Sequence, residues 1–97
     1  MSLYVVRHHH EAENCPAHDP EMGAMLLQHL SQSNASEHGI TIHGEAVIDG
    51  AHTLYVILDA AERSTVDGFM APFAQAGEVE VLPASPCEVV VARLGCD

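Results

Sequence analysis

The sequence predicts an α+β fold in which one antiparallel sheet carries two helices on one face, and three observations carry that prediction. Strand-like runs at Leu3 to His9, Ile40 to Ile48 and His52 to Ala60 are interleaved with two stretches of helical periodicity. The step Asp49-Gly50-Ala51 joins two of those runs as a hairpin, because Asp-Gly supplies the backbone twist a tight β-turn needs. The 97 residues suffice for one core and are too few for two.

Leu3, Tyr4, Val5 and Val6 followed by polar residues suit a largely buried strand whose far end reaches solvent. Asp19-Pro20-Glu21 is a helix start: Asp19 caps, Pro20 takes the first helical position and Glu21 complements the dipole. Met22, Met25, Leu26, His29 and Leu30 then recur on one face, and Gly39 stops a helix placed at about 20 to 37. After the hairpin, a second helix spans Glu62 to about Ala76 with Val66, Phe69, Met70 and Phe73 on its apolar face. Pro72 removes one backbone donor there, which predicts a kink or an end near Met70. Glu78 to Leu82 and Cys87 to Leu94 read as strands separated by Pro83-Ala84-Ser85-Pro86, which bends one strand or divides two.

The order is therefore βαββαβ with an extra C-terminal strand, a ferredoxin-like arrangement forming a single domain over residues 1–97. Its sheet keeps one face free of helices. A second copy is the simplest cover, so a homodimer through the open sheet face is expected.

Composition excludes several classes. Three arginines and no lysine stand against fourteen acidic residues, for a net charge of -11. Such a chain repels phosphate backbones and anionic lipid, which argues against nucleic-acid and membrane partners. No run approaches the ~20 apolar residues of a membrane span, and Met1 to Val6 lacks a signal-peptide core, so the expected location is cytoplasmic. Three cysteines without regular spacing do not make a secreted disulfide framework.

In element order the chain resembles the dimeric α/β-barrel superfamily, in which two ferredoxin-like units pack their open sheet faces together. The local points of likeness are the Leu3 to Arg7 strand, the Asp49-Gly50 hairpin, and Phe69-Met70-Ala71-Pro72-Phe73 leading into Glu78-Val79-Glu80-Val81-Leu82-Pro83. That last stretch is similar to small, uncharacterised bacterial families of the superfamily. The resemblance implies fold and dimerisation. It implies no site residue, because no functional motif of a member matches here.

Chemistry concentrates in His8-His9-His10-Glu11-Ala12-Glu13-Asn14-Cys15-Pro16-Ala17-His18. Imidazole and thiolate bind borderline and soft transition metals. Alternation along a strand puts His8 and His10 on one face, where they can chelate one ion, and Cys15 and His18 follow in the loop. A last strand running antiparallel beside the first brings Cys87, at its start, to the same end. The predicted ligand set is His8, His10 and Cys15 with His18 or Cys87, for zinc or nickel and then copper. The spacing lacks paired Cys-x-x-Cys ligands, and an exposed polar loop is the plain alternative.

A second reading is a cofactor-independent isomerase or monooxygenase of small organic molecules, with His43, Glu45 and Tyr55 sharing one sheet face for proton transfer. A third is a non-catalytic dimeric binding or assembly module. His29 reads as a hydrogen-bonded residue at the core edge, His38 and His52 as exposed, Met22 and Met25 as core filling, and Cys96 as a free thiol. No nucleophile elbow or phosphate loop is present.

Overall fold

A computed structural model describes residues 1–97. Strand β1 (Ser2–His10) leads through two single 3₁₀ turns, Ala12–Asn14 and Pro16–His18, into helices α1 (Pro20–His29) and α2 (Gln32–Glu37). Strands β2 (Thr41–Ile48) and β3 (Thr53–Ala60) form the hairpin, followed by α3 (Arg63–Ala74), β4 (Gly77–Ala84) and α4 (Cys87–Ala92). The fold is α+β: one four-stranded sheet in the order β2-β3-β1-β4, with every neighbouring pair antiparallel.

Alternation decides which face of the sheet is covered. Tyr4, Val6, His8 and His10 of β1 are buried, as are Leu54, Val56, Leu58 and Ala60 of β3, and the register pairs Tyr4 with Leu58 and Val6 with Val56. Against this face α3 packs Val66, Phe69, Met70 and Phe73. The opposite face carries Val5, Arg7, Tyr55, Ile57, Glu80 and Leu82, and no helix buries it. The core is small, with 17 of 97 residues buried, so any added cross-link or covering layer stabilises this chain appreciably.

Several expectations need correction. The single helix at 20 to 37 is two, because Ser31 accepts the Asn34 backbone N–H and starts a new N-terminus. Met22 and Met25 are not core filling: they are 50% and 68% exposed, and α1 has no fully buried residue. Helix α3 runs through Pro72 to Ala74. Pro72 and Gly68, four residues earlier, both lie on the exposed side, so the carbonyl that loses its partner meets water.

The extra C-terminal strand is a helix. Pro86 occupies the N-cap position of α4 with extended φ and ψ, and Glu88 lies in its first turn. Gly77–Ala84 form one strand with Pro83 inside it, on a sheet edge where a missing donor costs no ladder bond.

Candidate metal centre

Three segments converge at one end of the sheet. The last residue of β1, His10, pairs with Gly77 at the start of β4, and its backbone N–H donates to the His52 carbonyl at 3.1 Å, just before β3 begins. Gly77 is required there: a Cβ would lie 2.1 Å from the His9 carbonyl oxygen. The chain leaving His10 turns through the 3₁₀ segments, which return Cys15 toward the strand end.

The result is a group of three donors. A ring nitrogen of His10, the Cys15 thiol sulfur and a ring nitrogen of His52 all lie within 4.8 Å of one another. Tetrahedral zinc, with bonds of ~2.0–2.3 Å, sets its ligand atoms about 3.5 Å apart, so side-chain rotation about an ångström inward closes the site. His10 is buried, and neither of its ring nitrogens has a hydrogen-bond partner. Such orphaned atoms cost on the order of 1–3 kcal/mol each unless something satisfies them.

His52 is held by its turn. It adopts φ 50, a left-handed conformation uncommon for residues with a side chain, two positions after Gly50 at φ 76. The rings of His10 and His52 approach edge to face, 5.3 Å between centroids. Thr53 accepts from the His9 Nδ1–H at 3.1 Å and donates to the Ala51 carbonyl at 3.0 Å, which ties the turn to β1 from the other face.

His8 stands beside the group without belonging to it. Its ring is 5.3 Å from that of His10 and packs edge-on against Phe73, also at 5.3 Å. The His8 Nδ1–H donates to the Glu78 carbonyl at 3.1 Å, which fixes the tautomer and leaves Nε2 as an acceptor. Burial pushes the His8 imidazole below its ordinary pKa, the Glu78 carbonyl pulls it back up, and His9 lowers it further. Burial also lowers that of His10, with His8, His52, His9 and His18 adding like-charge repulsion. Both shifts favour the neutral ring, the form that donates a lone pair to a metal.

A cavity of about 90 Å³ opens on the group, lined by His8, His10, Cys15, His52, Leu54 and Phe73 among others. An adjoining groove of about 230 Å³ shares its His8, Pro16, Leu26 and Phe73.

The predicted ligands separate accordingly. His10 and Cys15 come together. His8 is adjacent, His18 is exposed on the second 3₁₀ turn, and Cys87 is at the other end of the sheet. Because Ala84 pairs with Leu3 and Gly77 with His10, Cys87 lies beyond the far end of an eight-residue strand, about 23 Å from the cluster at 3.3 Å per residue. The expectation for Cys87 fails because the strand beside β1 begins at Gly77 and not after Pro86.

His52, expected to be exposed, is half-buried and is the candidate donor that the local sequence pattern does not reveal. The signal was present: in an order where the second hairpin strand lies antiparallel to the first strand, the residue entering the former meets the residue leaving the latter.

His43, Glu45 and Tyr55 do not form the expected group. A register shift between Ile42 and Gly44 places Glu45 opposite Val56 and Ala46 opposite Tyr55, so Glu45 and Tyr55 point to opposite faces. The exposed His43 instead donates from Nε2 to Asp59 at 2.6 Å. His29 behaves as expected, donating from Nε2 to the Phe69 carbonyl at 2.7 Å while stacking on the Phe69 ring. No helix is long and apolar enough to cross a membrane.

In comparisons with known proteins, no family model, no curated protein and no solved structure matches the chain, so the donor geometry itself is what bears on function.

Proposed function

We propose that this protein binds a transition metal ion, zinc or nickel before copper, through His10, Cys15 and His52. The observation that carries the proposal is the pair of orphaned, buried nitrogens on His10 within reach of a thiol and a second imidazole. A coordinated ion resolves that deficit. Three protein donors leave a fourth position open, the pattern of zinc sites that hold water or substrate, and the 90 Å³ cavity has room for either a water or a small donor atom. Copper ranks lower because a His₂Cys copper site takes a long axial thioether, whereas Met22 and Met25 line the neighbouring groove and not this cavity.

Titration of the untagged, metal-free chain with cobalt(II) tests the reading. A thiolate-to-cobalt charge-transfer band should appear at one equivalent and disappear in Cys15→Ser, with affinity falling at least 10-fold in His10→Ala and His52→Ala. His18→Ala and Cys87→Ala should titrate as the parent does. Binding that survives Cys15→Ser and His10→Ala together would sink the proposal.

We also propose that the chain is a ferredoxin-like unit that pairs with a second copy through its open sheet face. The strand order β2-β3-β1-β4 with all pairs antiparallel supports the first part. For the second, Ile48, Ile57 and Leu82 are all more than 40% exposed on that one face. Sedimentation should give a dimer that Ile57→Glu converts to monomer; a parent chain that sediments as a monomer at high micromolar concentration refutes the pairing.

A further inference from the structure

The groove beside the metal cavity has a lining that selects its ligand. It lies between α1 and α3, with Met22, Met25 and Leu26 on one wall, Pro72, Phe73 and Ala76 on the other, and a volume of about 230 Å³. An apolar cavity of ~150 Å³ accommodates a benzene ring, so this one takes a single aromatic ring with small substituents. Thioethers at the edge of an aromatic ring and a phenylalanine beside it favour a flat π-system over an aliphatic chain.

Charge narrows the class. No arginine or carboxylate lines the groove; besides His8 its polar residues are Asn14 and His29, whose Nε2–H is committed to the Phe69 carbonyl, and the chain's net charge of -11 repels anions at a distance. The ligand is therefore neutral. His8 also lines the groove, 3% exposed, with its Nδ1–H committed to the Glu78 carbonyl and no hydrogen bond at Nε2. That nitrogen is an acceptor, and it asks for a hydroxyl.

We infer that the groove binds a neutral single-ring aromatic alcohol of the phenol class, its ring between Met25 and Phe73 and its hydroxyl donating to His8 Nε2. Because His8, Pro16, Leu26 and Phe73 also line the cavity on the His10, Cys15 and His52 side, the bound hydroxyl lies at the junction of the two spaces. Recognition uses only this chain's own residues, so it operates in the metal-free protein.

The test is a titration of the full, metal-free chain, methyl-labelled at methionine, with p-cresol, toluene and 4-methylbenzoate as separate probes. Saturable shifts of the Met22 and Met25 methyls are expected with p-cresol, about 10-fold weaker binding with toluene for want of one hydrogen bond, and none with the benzoate. Met25→Glu, at an exposed helix position that leaves the fold intact, should weaken p-cresol at least 10-fold. His8→Phe should bring p-cresol and toluene to within about twofold of one another. Absence of saturation with p-cresol, equal binding of p-cresol and toluene by the parent chain, or preferred binding of the benzoate overturns the inference. None of these outcomes depends on cobalt binding, so failure here leaves the metal reading to its own titration.

Discussion

His10 combines two properties that rarely coexist: it is nearly inaccessible, and both its ring nitrogens lack partners. Replacing it with leucine removes an unsatisfied polar group from an apolar setting. His10→Leu is therefore expected to raise the stability of the metal-free chain by about 1–2 kcal/mol while abolishing metal binding, measured as paired urea unfolding and cobalt titration curves. Destabilisation by His10→Leu would mean that the imidazole has a structural partner. Gly77 carries the opposite expectation. A methyl group there collides with the backbone at His9 and His10, and separating those strands costs roughly 1–3 kcal/mol. Gly77→Ala should lower the urea midpoint and weaken metal binding together, because Gly77 pairs with the proposed ligand His10.

Among the elements, α3 alone among the helices buries a full face, whereas α1 and its C-cap reach the core only at their edge, through Leu26, His29 and Leu30. Phe69→Ala should cost about 3–5 kcal/mol and Met22→Ala less than about 0.5 kcal/mol by chemical denaturation. Comparable losses at the two positions would contradict this division. The same contrast explains what the sequence disclosed. Elements with strong local rules were legible: β1 from its aliphatic run, the hairpin from Asp49-Gly50, α3 from Val66, Phe69, Met70 and Phe73, and the start of α1 from Asp19-Pro20. The stretch from Cys87 to Leu94 reads as a strand because Val89, Val90 and Val91 favour strands, and only the Pro86 boundary opposes them. His10 and Cys15 were legible as donors from their chemistry. His52 was not, since its role follows from strand register, a long-range property that no local pattern encodes; the bulge after Ile42 that turns Glu45 away from Tyr55 was hidden for the same reason.

The whole molecule is extended for its length, 45 × 30 × 19 Å, with a radius of gyration of 14.2 Å against about 12.5 Å for a compact domain of this size. Helix α4 buries no residue: Val91 within it and Leu94 beyond it face solvent. A chain with so thin a core should respond strongly to ligands that bind only the folded state. Zinc at 1,000-fold above its dissociation constant contributes about 4 kcal/mol, expected to raise the melting temperature by more than 10 °C in the parent and not in Cys15→Ser. Acid should act in the opposite sense. His8 and His10 have depressed pKa values when folded, mainly from burial, so the unfolded chain binds more protons at those sites. Metal-free stability is then fully present above about pH 6.5 and declines as pH falls toward the depressed values. Denaturant midpoints that stay level between pH 7 and pH 5, or rise on acidification, would show that these two rings do not govern the response.

The left-handed turn at His52 has a consequence for recognising other chains of this kind. At φ 50, glycine or asparagine fits the backbone as well as histidine does, so the turn alone does not select the imidazole. A chain that conserves the hairpin but carries glycine at that position keeps the architecture and loses a donor. The diagnostic spelling is therefore a joint one: histidine at the end of the first strand, cysteine five residues later, and histidine two residues past the glycine of an Asp-Gly hairpin. Sequences that satisfy only the first two terms should fold alike and bind metal poorly, which turns a single dihedral angle into a criterion for sorting relatives by chemistry.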